Sequence, residues 1–116
     1  MEMSRIFVEN RKGSFAAALP SDPQSADLLM AQHLAKAVQG DADACFDLGV
    51  LYSTGGHGID GDLIEAHKWF NLASMANHED AKTCRADISE EMTAREIAEA
   101  QRRARQWIAG MTRRAA

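Results

Sequence analysis

Strand-forming residues are scarce in this sequence. Of its 116 residues, three are valine and 6% are aromatic, whereas 21 are alanine, the strongest helix former. Proline, which interrupts helices, occurs only as Pro20 and Pro23. Hydrophobic residues make up 46% of the chain, which is enough for a buried core. We therefore expect one all-α domain rather than a sheet protein or a disordered chain.

Long apolar runs are missing as well. No stretch approaches the roughly 18 apolar residues that a membrane-spanning helix requires, and the first residues lack the apolar core of a signal peptide. These absences predict a cytoplasmic protein without a membrane span. In a reducing compartment, the two cysteines, Cys45 and Cys84, are expected to be small buried thiols rather than a disulfide.

Positive charge is concentrated near the C-terminus. Residues 22–92 hold 13 acidic and four basic side chains, a local charge of −9, whereas residues 93–116 hold six arginines and two glutamates, a local charge of +4. The acidic body argues against a nucleic-acid-binding groove. Three interpretations of the arginines stay open: a solvated helix face, a phosphate contact, or a contact with the acidic body of a second copy.

The first helix is predicted to begin at Asp22 and Pro23, a capping side chain followed by a residue that suits the first helical turn. Gly40 provides the left-handed residue that ends this helix. Its apolar stripe is predicted to consist of Leu28, Ala31, Ala35 and Val38. Residues 1–20 show no helical period, and we expect them to form a flexible tail.

Four further helices are predicted from capping residues and helical spacing. Asp41 is expected to cap the second, at about residues 42–53, in which Gly49 allows a close approach of a neighbouring helix. Asp62 is expected to cap a third helix that ends at residue 76, and a fourth covers residues 79–92. A capping box of Thr93 and Glu96 opens the fifth helix, and we expect a glycine at position 110 to loosen its end.

A short pattern recurs with an offset of 37 residues, and both copies fall where one helix ends and the next begins. Small residues at such positions are expected where each helix pair packs against the next pair. The corresponding residues are Ala37 and Ser74, Gly40 and Asn77, and Ala44 and Ala81.

The longest ordered pattern covers residues 41–81. It reads Ala44-x-x-x-Leu48-Gly49-x-x-Tyr52-x-x-Gly55, then Gly58-Ile59, then Asp62-x-x-x-Ala66-x-x-Trp69-Phe70-x-x-Ala73-Ser74-x-x-Asn77-x-x-x-Ala81. This pattern resembles the Sel-1-like repeat family, which is related to tetratricopeptide repeats. The next stretch departs from it, with Arg85 and Ala86 where leucine and glycine are typical. We interpret that stretch as a degenerate capping repeat. The pattern Met92-Thr-x-x-x-Ile97-x-x-Ala100-Gln-Arg-x-Ala104-Arg-x-Trp107 is similar to the way bacterial members of the family often end.

The resemblance implies a right-handed solenoid of helix pairs that binds a protein or peptide on its concave face. The repeat domain would cover residues 21–113, with a preceding half-repeat helix at 22–40, a complete repeat at 41–77 and a capping repeat at 78–113. The concave face would present six partner-binding candidates: Phe46, Asp47, Val50, Lys82, Thr83 and Ser89. Phe46 and Val50 lie one turn apart, and the alternative is that both pack against the first helix.

Residues that could carry chemistry form no recognised motif. The loop at residues 55–58 lacks the Lys-Ser/Thr of a phosphate loop, and Ile64 occupies a position where a calcium loop that starts at Asp60 needs an oxygen ligand. The four histidines and two cysteines show no close zinc spacing. A cysteine nucleophile would need a base, and nothing in the sequence assigns that role to His67 or His78.

We therefore expect a non-enzymatic adaptor without a cofactor or metal. The alternative is a self-associating, homodimeric repeat protein, because fewer than about three repeats leave apolar surface exposed. A more remote alternative is hydrolysis of β-lactams, which is described for some members of the family. The Ser-x-x-Lys motif of that chemistry does not occur in this sequence.

Overall fold

Five α-helices make up the part of the chain that the computed structural model describes, residues 23–55 and 60–115. They are α1 (Pro23–Val38), α2 (Ala42–Thr54), α3 (Leu63–Met75), α4 (Glu79–Ser89) and α5 (Ala94–Ala115). No strand occurs within these ranges, so the expected all-α class is confirmed. The predicted tail at 1–20, the capping role of Asp22 and most of the glycine loop at 55–58 lie outside the described residues.

The α1–α2 and α3–α4 turns have the same backbone geometry, displaced by 37 residues. Gly40 (φ 87°) and Asn77 (φ 68°) both adopt the left-handed conformation that ends many helices. The amide of Gly40 donates to the carbonyl of Ala37, and the amide of Asn77 donates to the carbonyl of Ser74, both at 2.9 Å. The recurrence predicted from the sequence is therefore also a recurrence of hydrogen bonds.

Each of these two turns ends in a side chain that caps the following helix. The Oδ1 atom of Asp41 accepts a hydrogen bond from the amide of Ala44 at 3.1 Å, as predicted. In α4 the corresponding residue is His78, whose Nδ1 atom accepts from the amide of Ala81 at 3.2 Å. Both side chains satisfy an amide that the first turn of a helix leaves unpaired.

The caps of α3 and α5 differ in one respect. Thr93 and Glu96 form both hydrogen bonds of the predicted capping box, at 3.1 and 2.9 Å. Asp62 caps α3 through the amides of the second and third helical residues. Glu65 does not complete a box there, because its carboxylate binds Arg103 of α5 instead.

The hydrophobic core lies mainly among α2, α3 and α4, and α3 packs against α2, α4 and α5. Gly49 allows α2 to lie directly against α3, since a Cβ atom at this position would stand 2.5 Å from Phe70 Cδ1. The close approach predicted at Gly49 is therefore confirmed. The largest fully buried side chains are Trp69, Phe46, Phe70, Leu48, Leu51, Ile88 and Val50.

Two expectations about the outer helices are wrong. α1 packs on the core through Met30, Leu34 and Ala37, whereas Leu28 of the predicted stripe is 63% exposed. α5 does not loosen at Gly110 but continues to Ala115. The third and fourth helices are also shorter than predicted at their C-terminal ends, by one and three residues.

α3 and α5 are parallel neighbours. Glu65 forms an ion pair with Arg103 at 2.7 Å, and one turn further along both helices the ring of Trp107 meets the ring of Trp69 edge-on, with centroids 4.9 Å apart. Both contacts join residues 38 positions apart in sequence, and both helices advance in the same direction between them. α5 therefore lies beside α3, and the C-terminal half of α5 is next to the C-terminal end of α3.

Candidate functional site

Three of the six predicted partner-binding residues lie in the interior. Phe46 is 1% exposed, Val50 is 0% exposed and Asp47 is also buried. The ring of Phe46 stacks on the imidazole of His78, with centroids 4.4 Å apart and planes within 9°. These side chains do not lie on an open face. The alternative expectation was packing against the first helix, whereas the ring of Phe46 contacts Phe70 of α3 and His78 before α4. The physical reason is that α2 has neighbours on more than one side.

The other three predicted residues lie on α4 and do not form one surface with the first three. Lys82 and Thr83 are exposed, and the ammonium of Lys82 pairs with Glu79 at 3.1 Å. The hydroxyl of Ser89 is partly buried and occupied by contacts inside the protein. Lys82 and Thr83 are therefore the members of the predicted set that a partner can reach directly.

His67 and Ser89 form a partly buried pair that invites a catalytic interpretation. His67 Nε2 lies 3.1 Å from Ser89 Oγ, and the hydroxyl donates its proton to the carbonyl of Arg85 at 2.8 Å. Nε2 must then carry the hydrogen that Ser89 accepts, which is the opposite of what a base activating a serine requires. His67 Nδ1 is buried and has no hydrogen-bond partner among the described residues, so none of these residues orients the ring as the third group of a triad would. This arrangement ties α3 to α4 and does not activate a nucleophile.

The electrostatic environment of His67 agrees with a neutral ring. Burial lowers the pKa of His67 below its ordinary value of 6.5, and the nearby cation of Arg85 lowers it further. The ring is 3% exposed. At neutral pH the imidazole is therefore an uncharged core group.

The predicted buried thiols are confirmed. Cys45 and Cys84 are both buried and not joined in a disulfide. Burial raises the pKa of the Cys45 thiol to about 11, with the charge of Asp41 acting in the same direction, so this residue is protonated and weakly nucleophilic at neutral pH. Among the residues that the structure describes, no three His, Cys, Asp or Glu side chains are placed to hold a metal ion.

An open apolar groove is present among the described residues. It has a volume of about 190 Å³ and lies over the C-terminal half of α3, between the α1–α2 corner and α5. The side chain of Met75 on its surface is 61% exposed. The groove is lined by Ala37, Gly40, Ala42, Cys45, Leu72, Met75, Ala76, Trp107, Ile108 and Met111.

Aromatic packing fixes the α5 wall of the apolar groove. Trp107 lines the groove and rests edge-on against the buried Trp69. The ammonium of Lys68 lies 4.3 Å from the ring centroid of Trp69 and 5.4 Å from that of Trp107, and it also pairs with Glu65 at 3.3 Å. Such cation–π contacts favour one ring orientation. The α5 wall of the groove is therefore preformed in the unbound protein.

Two exposed cations flank the apolar groove, one on each helical wall. Lys36 precedes the lining residue Ala37 near the end of α1, and Arg105 lies one turn before the lining residue Ile108 on α5. Within the described part of the chain, neither side chain has an ion pair or hydrogen bond. The corner between α1 and α2 also carries the carboxylates of Asp41 and Asp43, so the two walls do not share one sign of charge.

The sequence did not reveal this groove as a site. Its lining comes from four helices, and each helix contributes residues that look like ordinary core positions. The one usable signal was the long stripe on the fifth helix, where Trp107, Ile108 and Met111 continue beyond the fully buried Ala100 and Ala104. When the apolar stripe of a helix extends past the buried core, its last residues form apolar surface that the domain itself does not cover.

No described helix is long and apolar enough to cross a lipid bilayer. Comparison with known proteins finds no matching family model, no matching curated protein and no matching solved structure.

Proposed function

We propose that this chain is a non-enzymatic protein-interaction domain that holds its partner in the apolar groove. The observation that carries the proposal is the groove itself, an uncovered apolar surface with an exposed methionine, Met75, on a rigid helical frame. Exposed apolar patches that a domain does not cover for itself mark interaction sites. The pair of His67 and Ser89 offers no competing catalytic centre, because the hydroxyl of Ser89 donates to the carbonyl of Arg85 and not to the imidazole.

The size and chemistry of the groove favour a protein over a small molecule. Small-molecule sites commonly enclose about 300–1,000 Å³ and contain a few convergent polar groups. The apolar groove has about 190 Å³, is open to solvent, and is lined by apolar side chains and small residues. A partner that lays apolar side chains along an extended surface fits this shape better than a compact ligand does.

We further propose that the domain is a short α/α repeat of the Sel-1-like kind. Two features support this: the equivalent turns at Gly40 and Asn77, 37 residues apart, and the parallel stacking of α3 and α5. In repeat proteins each unit packs on the next in this parallel manner. On this proposal the exposed Lys82 and Thr83 of α4 stay a second predicted contact surface.

Site-specific photocrosslinking tests the proposed function. The photoreactive residue p-benzoylphenylalanine is placed at position 75 or at position 28, and the protein is irradiated in an extract of the cells that produce it. Both native residues are large, apolar and about equally exposed, but only Met75 lines the groove. We expect one discrete adduct with another protein from position 75 and none from position 28. No adduct from either position, or the same adducts from both, would contradict the proposal.

Self-association is a second candidate function, and the uneven charge favours it. An acidic body and a basic fifth helix in one chain attract each other between copies. In the photocrosslinking experiment it would give an adduct from position 75 that contains only this chain.

A further inference from the structure

We propose that His78 is a pH-sensitive cap of α4, which holds the first turn of this helix while its imidazole is neutral and releases that turn when the ring takes up a proton. The cap lies at the corner between α3 and α4. It goes beyond the proposed function, since it does not depend on what the apolar groove holds. The inference is carried by two contacts of one ring and by the place of that ring in the 37-residue recurrence.

Two contacts fix the protonation state of the His78 ring. Its Nδ1 atom accepts a hydrogen bond from the amide of Ala81 at 3.2 Å, and its Nε2 atom lies 3.1 Å from Oδ1 of Asp43. A nitrogen that accepts a hydrogen bond carries no hydrogen, so the ring is the neutral tautomer with its hydrogen on Nε2, directed at the carboxylate. This tautomer is the one form of histidine that can make both contacts.

Protonation of His78 removes the acceptor. An imidazolium carries a hydrogen on both nitrogens, so no rotation of the ring offers a lone pair to the amide of Ala81. That amide belongs to the first turn of α4, whose N–H groups have no partner within the helix. The ring is held in place by Phe46, on which it stacks with centroids 4.4 Å apart, and the His78 side chain is 13% exposed. A proton from solvent can therefore reach the ring, and no other ring orientation restores the cap.

The groups around His78 favour its two states in opposite ways. The charged side chains of α2 and of the first turn of α4 are Asp43, Asp47, Glu79, Asp80 and Lys82. The last six residues of α3 carry no charged side chain. The carboxylates favour the charged ring, whereas the hydrogen bond to Ala81 and the positive end of the α4 dipole favour the neutral ring. Since the Asp43 side chain is 80% exposed, water screens its attraction, and neither state is locked.

The equivalent cap of α2 does not have this property. Asp41 stands 37 residues before His78, and it accepts from the amide of Ala44 at 3.1 Å. Histidine, unlike aspartate, ordinarily changes its charge between pH 5 and 8. The recurrence therefore contains one carboxylate cap and one imidazole cap, and the imidazole precedes the exposed Lys82 and Thr83. Mild acid should loosen that predicted contact surface and leave the α1–α2 corner intact.

Nuclear magnetic resonance of the full chain between about pH 8 and pH 5 tests this inference. Nitrogen–hydrogen correlations of the His78 ring should show the hydrogen on Nε2 at the higher pH and on both nitrogens at the lower pH. Along this titration the hydrogen-exchange protection factor of the Ala81 amide should fall by roughly fivefold, the equilibrium factor that one capping hydrogen bond is worth. The amide of Ala44 is the internal control, and its protection factor should not change.

Two variants separate capping from titration. His78→Asn keeps a side-chain acceptor that does not titrate in this range, so the Ala81 amide should stay protected throughout. His78→Ala removes the acceptor, so the protection of the same amide should be low at every pH. His67 is present in both variants, and an effect of its titration would therefore remain in both.

Three results would overturn the inference: a hydrogen on Nδ1 of His78 at the higher pH, an Ala81 protection factor that stays constant while His78 is protonated, or an equal fall in His78→Asn. The last result would assign the pH dependence to His67 or to another group. If His78→Ala does not fold, the original chain and His78→Asn still decide among these outcomes. The crosslinking result at position 75 has no bearing on them, so this inference and the proposed function can fail separately.

Discussion

At the scale of single residues, two glycines in helices have opposite environments. Gly49 of α2 faces Phe70, and a Cβ atom there would stand 2.5 Å from the aromatic ring, which cannot move away because it is fully buried. Gly110 of α5 has no atom within 4 Å of the position that its Cβ would take. One glycine is needed for packing, and the other only lowers the stability of its helix.

The same substitution at both positions should therefore have opposite effects. We expect Gly49→Ala to lower the free energy of unfolding by about 1–3 kcal/mol, as overpacking of a core does. Gly110→Ala should raise it by up to about 1 kcal/mol, the difference in helix propensity. Urea unfolding followed by circular dichroism measures both. A Gly49→Ala protein as stable as the original would show that α2 and α3 are not in this close contact.

The buried imidazole of His67 predicts a dependence of stability on pH. Its pKa is below 6.5 in the folded protein, because of burial first and Arg85 second, whereas the unfolded chain binds a proton near that value. Between these two pKa values only the unfolded state is protonated, so the free energy of unfolding decreases as the pH falls below about 6.5. It stops changing for this reason once the native ring is protonated as well.

Nuclear magnetic resonance of the histidine rings measures this directly, since the His67 signal should titrate below 6.5 and show the hydrogen on Nε2. Denaturant unfolding at about pH 7.5 and pH 5.5 should show a smaller loss of stability in His67→Gln than in the original chain, because glutamine does not titrate in this range. A His67 ring that titrates at or above 6.5 would contradict the buried, neutral assignment.

At the scale of helices, the features predicted well are those that depend on neighbouring residues alone. Gly40, Asp41 and the Thr93–Glu96 box were predicted from a few residues of local sequence, and the structure forms each of them. These hydrogen bonds join residues close in sequence, so predicting them does not require knowing which elements pack across the core. For the same reason the start of each later helix was predicted to within one residue.

It was harder to predict which face of each helix is buried, because tertiary packing determines the buried face. α1 has apolar residues around much of its circumference, and both Leu28 to Val38 and Met30 to Ala37 have helical spacing. The second set faces the core and the first includes the 63% exposed Leu28. Phe46 and Val50 show the converse case, in which side chains on a second face of α2 are buried by neighbours that spacing does not specify.

At the scale of the whole molecule, the candidate site arises only when α5 returns beside α3. The groove combines residues from position 37 to position 111, and the parallel placement of α3 and α5 brings them together. Sequence patterning predicted the helices and the recurrence of 37 residues. The pattern does not indicate whether the C-terminal apolar stripe of α5 borders a groove or is buried in the core.

The size of that groove leads to a prediction of the protein's mass in solution. A stable homodimer commonly buries about 1,200–2,000 Å² of surface in total, whereas the apolar groove among the described residues is small, with a volume of about 190 Å³. The attraction between an acidic body and a basic α5 acts against a net charge of −4 on each copy, and salt screens it beyond about 8 Å at physiological ionic strength. We therefore expect light scattering coupled to size exclusion to give 12.7 kDa at every protein concentration and at both low and high salt. Twice that mass at low salt, falling as salt is added, would instead show that charge asymmetry joins two copies and that the groove has to be sought in the dimer.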